Sequence, residues 1–247
     1  MNLMTLSMKT VEAIDETIRK LVYDHEKISS KRWQGQDIQN PMVEVRDIFV
    51  TMDMDETADS MANQSKCHIP WAEDHFKERI SGKATNPGVE YRNWPFYRQE
   101  LDDARFRKGG GKFSHTYQER FWPPKKDGIR YKMGDYNDVV ERLKNDNTTR
   151  QAFLSIWHPE DQSNNDQRLP CTIGYWFSVR HGKLSITYLI RSCDAARHFR
   201  NDVYMAQRLA LDMAYKIGVK ELGTLSMWIG SFHCFTSDLY TLKKQTK

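Results

Sequence analysis

Cys171, in the run RLPCT, follows a polar loop and opens an apolar run. A thiol so placed is a candidate nucleophile, because the thiolate is the reactive form and nearby arginines lower a thiol's pKa. The run RSCD at 191–194 adds Arg191 and Ser192, a planar cation and a hydroxyl suited to a phosphate beside that thiol. Ordinary structural roles compete with both readings. A lone cysteine is often a small buried hydrophobe, and Arg191 at a strand end can pair with Asp194. The remaining cysteines, Cys67, Cys193 and Cys234, show no CxxC spacing, and the eight histidines are scattered, so the chain offers no zinc framework. Free thiols in a reducing compartment are the expectation.

These residues need a frame, and the apolar spacing supplies one. Val11, Ile14, Ile18, Leu21 and Val22 recur at helical intervals over residues 8 to 24, which predicts an amphipathic first helix. A second helix is expected to enter at Pro70, run through WAEDHFKERI and stop at Gly82, with Glu73, Phe76 and Ile80 on one face. The chain from about 83 to 135 is rich in Gly, Pro, Arg and aromatics, with NPG at 86–88, NWPFY at 93–97 and RKGGGK at 107–112. It reads as long surface loops, and its glycines as a hinge, since GGGKFS lacks the GxxxxGK[ST] spacing of a phosphate loop. Beyond it, DYNDVVERLKN reads as a short helix and RQAFLSIW as a buried strand. TIGYWFSV and KLSITYLI read as a hairpin turning at His181 and Gly182. Ala206, Ala210, Met213 and Ile217 place a buried helix over 203–217, and TLSMWIGSFHCF reads as a final long strand. Without internal repeats, residues 1–247 are expected to form a single mixed α/β domain.

Composition narrows the function classes. The 247 residues carry 39% hydrophobic, 12% aromatic and 28% charged residues, a balance that folds around a core and leaves a wet surface. No run approaches the roughly 18 apolar residues of a membrane span, and MNLMTLSMKTVEAIDETIRK lacks a signal-peptide core. A cytoplasmic location is expected. The formal charge of +4 is mild for a duplex-binding protein and is equally suited to small anionic substrates.

From DVVERLKNDNTTRQAFLSIWHPED through LPCTIGYWFSVRHGKLSITYLIRSCD to WIGSFHCFTSDLYTL, residues 138 to 243 resemble the thymidylate synthase family in block order and spacing. The first half resembles it weakly. The resemblance implies a mixed β-sheet with flanking helices and a homodimer whose partner lends an arginine to each active site. It implies a pyrimidine nucleoside monophosphate substrate, 5,10-methylenetetrahydrofolate as one-carbon donor, and Cys171 as the nucleophile that adds to C6 and activates C5. By the same resemblance Arg191 and Ser192 hold phosphate, Arg150 in TTRQAF is the arginine shared across the dimer, and Asp194 lies near base and folate. Gln151 replaces a second arginine of the family. His233 in GSFHCF matches a histidine at the sugar, whereas Phe235 stands where the family usually has tyrosine, which leaves ribose and deoxyribose both open.

Eleven residues beyond the RS arginine, where thymidylate synthases read uracil with an asparagine, this chain has Asp202. A protonated carboxyl offers one donor and one acceptor, the complement of cytosine. The segment RSCDAARHFRND is similar to that of phage deoxycytidylate hydroxymethylases, as is Cys171-Thr172. Two alternatives stand beside this reading. Asp202 or Asn201 can cap a helix beginning at Val203, and a shift of one position presents Asn201 and restores uracil. The resemblance also implies a glutamate on the early helix that organises water. Glu73 in PWAEDHF is the expected residue, pointing inward with a raised pKa, although counting back from Ser81-Gly82 falls nearer His75. Tyr117 in SHTYQERFW resembles a tyrosine that holds water near the thiol, and Lys31 and Arg32 are candidates for an early phosphate loop. The chain ends at Lys247 soon after the last matched block, without the family's closing tail, which favours water over hydride at the exocyclic methylene and so a hydroxymethyl product. A methylating synthase on dCMP or dUMP is the enzymatic rival. Grip on single-stranded nucleic acid by segment 91–133 is the other, but it leaves the Cys171 and Arg191 blocks unexplained, so direct nucleic-acid binding is not expected. A phage modifying its own cytosine would be a natural source, with the host cytoplasm as the working compartment.

Overall fold

The computed structural model describes residues 8–28, 32–33, 36–37, 41–96, 107–108, 112–123, 135–163 and 169–245. In chain order these form β1 (Met8–Lys9), α1 (Thr10–Asp24), β2 (Glu26–Ile28), β3 (Arg32–Trp33), β4 (Gln36–Asp37) and β5 (Met42–Asp53). Then come α2 (Ala58–Ser65), α3 (Trp71–Arg79), a 3-10 turn at Val89–Asn93, β6 (Arg107–Lys108), β7 (Lys112–Phe113), α4 (Tyr117–Phe121) and α5 (Asp135–Asn145). The last stretch holds β8 (Phe153–Ser155), a 3-10 turn at Pro159–Ser163, β9 (Thr172–Arg180), β10 (Lys183–Asp194), α6 (Phe199–Ile217), β11 (Glu221–Phe235) and α7 (Thr236–Gln245).

Among the described residues, seven strands form one mixed sheet in the order β1-β5-β11-β10-β9-β8, with β2 also paired to β5. The period-2 pattern of β9 and β10 explains their placement. Leu184, Ile186, Tyr188 and Ile190 are buried while the residues between them are partly exposed. The two strands turn through His181 and Gly182, both with positive φ (52° and 75°), which the favoured two-residue hairpin turn requires and which glycine adopts without strain. β10 and β11 run parallel, joined by the buried helix α6 as a crossover. Helices α1 and α6 pack on the sheet and α3 packs on α6. The result is the mixed α/β domain with flanking helices that the sequence implied.

Three local expectations change. The strand expected over RQAFLSIW is only Phe153–Ser155, because the Ile156 and Trp157 amides both turn onto the Ile173 carbonyl (3.0 and 3.1 Å) and end the ladder. Helix α6 begins at Phe199, a turn earlier than the apolar stripe indicated. The stretch expected to be surface loop is partly a structured wall. Asn86 donates to the Phe113 carbonyl (3.0 Å) and accepts from the Phe113 amide (2.8 Å), and a Thr116–Glu119 capping box starts α4. Gly109–Gly111 of the expected hinge, Lys31 of the expected phosphate loop and much of segment 91–133 lie outside the described residues. Arg32 is described only as backbone of β3.

Candidate active site

The C-terminal ends of β10 and β11, the residues just before β9, the first turns of α6 and one face of α3 enclose a cavity of about 710 Å³. Cys171, Arg191, Ser192, Asp194, Asp202, His233 and Tyr117 all line it. Such a convergence of polar groups in an otherwise aromatic cleft is what a small-molecule site looks like.

The sheet positions the sulfur. The Arg191 amide donates to the Cys171 carbonyl at 2.8 Å, and the Arg191 guanidinium donates to the carbonyls of Pro170 (Nε, 2.9 Å) and Leu169 (Nη2, 3.1 Å). One arginine thus fixes the strand entrance that presents the half-buried thiol. Behind it, Thr172 Oγ1 lies 2.8 Å from Tyr188 Oη and donates to Tyr117 Oη at 3.3 Å, so the hydroxyl of Tyr117 is held beside the thiol by β9 itself. Burial, then the proximity of Cys171, push the Tyr117 phenol up. Ser192 pairs with Ser231 and Asp194 with His233 across the parallel ladder, which places all four at one sheet end. Asp194 accepts from the Ala196 and Arg197 amides (2.9 and 3.1 Å), and burial raises its carboxyl.

Helix α6 decides which residue faces the cavity. The Asp202 amide donates to the His198 carbonyl at 2.8 Å, so Asp202 is already inside the helix and neither it nor Asn201 caps a helix at Val203. His198, Asp202 and Met205 fall on the cavity side at helical spacing. Asn201 faces away. Its Oδ1 accepts from the His68 amide at 2.9 Å and its Nδ2 donates to the Arg197 carbonyl at 3.2 Å, which spends the side chain on anchoring the chain before α3. Asp202 stands with Cys193 Sγ at 3.7 Å from its Oδ2, and burial lifts its carboxyl to about 7.

One expectation is corrected. Glu73 points to α6 rather than into the cavity: Arg208 grips it through Nε and Nη2 (2.8 and 2.9 Å) and Tyr204 Oη donates at 2.8 Å. Burial would raise its pKa, but those bonds outweigh it and hold the carboxyl below its usual range, opposite to the raised value expected. The cavity face of α3 is instead Trp71, His75, Glu78 and Arg79. Its only sequence signal was the helical recurrence of Trp71, His75 and Arg79, a pattern that structural residues also produce. Arg150 is exposed and does not line this cavity; its carbonyl accepts from Trp176 Nε1 at 3.1 Å.

On that face, burial lowers His75 to about 4, so its imidazole is neutral at ordinary pH. Nε2 accepts from Arg79 Nε at 3.1 Å, and since arginine only donates, the ring proton sits on Nδ1, 3.8 Å from Glu78 Oε2. Glu78 accepts from the Val89 amide (2.5 Å) and from Gln118 Nε2 (2.6 Å). A Cβ at Gly88 would press into that carboxylate, so a larger residue there would push the Glu78 side chain aside. Trp71 stacks on His75 with centroids 5.0 Å apart, Trp94 stacks on His198 at 4.7 Å, and the buried Trp94 Nε1 has no hydrogen-bond partner among the described residues.

Against known proteins, the sequence model of the family described as thymidylate synthase matches residues 52–247. The chain belongs to the thymidylate synthase family. Among its relatives, a protein of Methanococcoides burtonii named "Putative thymidylate synthase" is 31% identical over 137 residues, covering 55% of this chain and 59% of the relative. A protein of the same name from Methanothermobacter marburgensis is 30% identical over 148 residues, covering 56% and 65%. The match therefore spans less than two thirds of either relative. The solved thermostable thymidylate synthase A from Bacillus subtilis superposes with a TM-score of 0.72 at 18% identity, covering 97% of this chain and 84% of that one, which establishes the shared fold. No described helix is long and apolar enough to cross a membrane.

Proposed function

We propose that the protein is a folate-dependent pyrimidine nucleotide C5-hydroxymethyltransferase acting on dCMP. The observation that carries this reading is that Asp202, and not Asn201, faces the cavity that holds Cys171. A carboxyl titrating near 7 is still protonated in a useful fraction at neutral pH. It donates to cytosine N3 and accepts from the exocyclic amine, an edge pattern that uracil lacks.

The chemistry follows from where charge goes. The Cys171 thiolate forms a bond to C6, the C5=C6 electron pair shifts to C4–C5, and the C4=N3 pair takes the Asp202 proton at N3. Negative charge has then moved from sulfur to the Asp202 carboxylate, and C5 is a neutral enamine carbon that attacks an electrophile. 5,10-Methylenetetrahydrofolate, when bound, supplies a one-carbon unit at the oxidation level of formaldehyde. The aromatic walls Trp71, Tyr91, Trp94 and Phe113 would hold its flat ring system, and the unpartnered Trp94 N–H fits a ligand acceptor. Tyr117 and the neutral His75 line the same space and would orient water near C5, which is the requirement for a hydroxymethyl rather than a methyl product. Arg191 and Ser192 would take the phosphate and His233 the sugar.

The sheet face opposite α1 and α6 exposes Phe49, Phe153 and Trp176. A second copy seated there would form the homodimer, and Arg150, beside Trp176, would enter the partner's phosphate site. Gel filtration with multi-angle scattering tests the dimer, and mixing inactive Arg150→Ala with inactive Cys171→Ser tests the shared arginine: recovered activity is the expected result.

Incubation with methylenetetrahydrofolate and a mixture of CMP, dCMP, UMP and dUMP decides the reaction. dCMP gaining CH2O is expected. A gain of CH2 would make the protein a methylating synthase, and reaction of dUMP in preference to dCMP would remove Asp202 from base recognition.

A further inference from the structure

Arg79 is 6% exposed, lines the cavity, and among the described residues has no carboxylate within ion-pair distance. Its bonds are to a neutral ring, Nε and Nη2 lying 3.1 and 3.0 Å from His75 Nε2, and its guanidinium carbon sits 4.2 Å from the centre of the Tyr117 ring. The Trp122 indole donates to the Arg79 carbonyl at 2.8 Å and fixes that end of α3. A guanidinium does not give up its proton in a protein, so the cavity wall carries a permanent, uncompensated positive charge. Buried cations are otherwise paired.

Resting on the hydroxymethyltransferase reading, we propose that Arg79 is a positioning residue whose guanidinium balances the negative charge that Asp202 acquires when its proton passes to the pyrimidine ring. Among the described residues, the groups whose electrostatics couple to Asp202 are Arg79, Tyr117, Tyr175, Tyr188, Cys193 and Asp194, with His198 a turn earlier on the same helix; of these, Arg79 alone carries a permanent positive charge. Arg79 is also foremost among the influences that oppose burial at Asp202. The charge relocates by one proton: sulfur loses its negative charge as S–C6 forms, N3 gains the proton, and Asp202 becomes a carboxylate facing Arg79. Reversal at the end of the cycle restores the protonated acid. The stacking on Tyr117 and the bonds to His75 keep the cation in the wall and leave the ring edge to Asp202.

Hydrogen–deuterium exchange at C5 of dCMP, run without folate across pH 6–9, reports formation of the C6 adduct alone. Wild-type exchange is expected to fall as pH rises through about 7, where Asp202 loses its proton. In Arg79→Gln the maximal rate should drop about tenfold and the falling limb should move up by about one pH unit, since Asp202 without the cation holds its proton more tightly. Arg79→Lys should restore the limb, and Arg79→Met, which keeps the stem, should repeat the Gln result if the Gln variant does not fold. A neutral variant that exchanges on an unmoved limb overturns the role of Arg79, as does a raised KM for dCMP with an unchanged limb, which would place the guanidinium on the nucleotide. A wild type inert toward dCMP overturns the substrate reading itself, and with it this inference.

Discussion

The cavity has two walls that are held in different ways. On one side, Cys171, Arg191, Ser192, Asp194 and His233 ride on strand ends whose backbone ladders fix them, with Asp194 paired to His233 and Ser192 to Ser231. On the other, His75, Glu78, Arg79, Tyr91 and Trp94 come from a short helix and a turn whose attachments run largely through side chains: Gln118 to Glu78, Trp71 to the Glu90 carbonyl (2.9 Å), Trp122 to the Arg79 carbonyl. A ladder costs much to distort because neighbouring bonds form together, whereas a wall stitched by single side-chain bonds gives way locally when one is removed. The strand wall suits covalent chemistry, which tolerates little displacement of the sulfur. The stitched wall suits a site that must admit and release a large flat ligand.

The strongest test of the ladder wall is Cys171→Ser. Turnover and C5 exchange should both fall on the order of 10³-fold or more, with dCMP binding retained in equilibrium dialysis, because only the nucleophile is removed. Unchanged turnover would mean the sulfur makes no bond to the ring. Asp202→Asn comes next. The amide complements uracil, so the ratio of kcat/KM for dCMP over dUMP should drop about 100-fold or more. The same substitution should stabilise the fold. Native Asp202 titrates near 7 against 3.8 for the ordinary group, so folded protein binds the extra proton in that interval and stability falls as pH rises through it, levelling above about 7. With the carboxyl partly open to the cavity, the gain at pH 8 is on the order of 1–3 kcal/mol, readable as a rise of a few degrees in Tm.

The two walls were also unequally legible in the sequence. Strand alternation and the His181-Gly182 turn located β9 and β10, because the strand period is set by backbone geometry alone, whereas Asp202 was singled out by the resemblance to the thymidylate synthase family and not by any period. The choice between Asn201 and Asp202 is a matter of tertiary packing, since it turns on the His68 amide meeting Asn201, a contact between residues far apart in the chain. Glu73 was misplaced for a similar reason. Helical spacing gives the faces of α3 but not which face meets α6, and Tyr204 and Arg208 settle that. Arg79 carried only its helical spacing from Trp71 and His75, and a basic residue near the end of a helix is ordinarily a solvated complement to the helix dipole.

Glu78→Ala probes the stitched wall directly. It leaves the Val89 amide and Gln118 without their acceptor, so stability should fall by about 1–2 kcal/mol and the KM for folate should rise several-fold while C5 exchange without folate changes little. The loss is pH-dependent. Burial raises the Glu78 carboxyl, but the neighbouring His75 ring and the bond from the Val89 amide outweigh that and hold it below the ordinary value of 4.5. Its contribution is therefore full above roughly that pH and disappears as pH falls through the folded value, so the Tm difference from wild type should narrow in acid. Equal loss of folate-dependent and folate-free activity would show that this wall cannot yield independently of the strands.

The smallest effect on chemistry is expected at Glu73→Gln, and it sharpens the comparison by acting on the same helix from its other side. The bond from Tyr204 survives in part, but the two-pronged charge pairing with Arg208 is lost. Both side chains are mostly buried between α3 and α6, at 19% and 16% exposed, and an ion pair of that kind contributes about 1–2 kcal/mol. Wild-type Glu73 keeps its charge below the usual carboxylate range, so the penalty should be constant at neutral pH and shrink only in acid. Thermal unfolding should show a Tm lowered by a few degrees, with kcat for dCMP within about twofold of wild type. A collapse of turnover without unfolding would return Glu73 to the water-organising role that its neighbours on α6 deny it, and the cavity face of α3 would have to be redrawn.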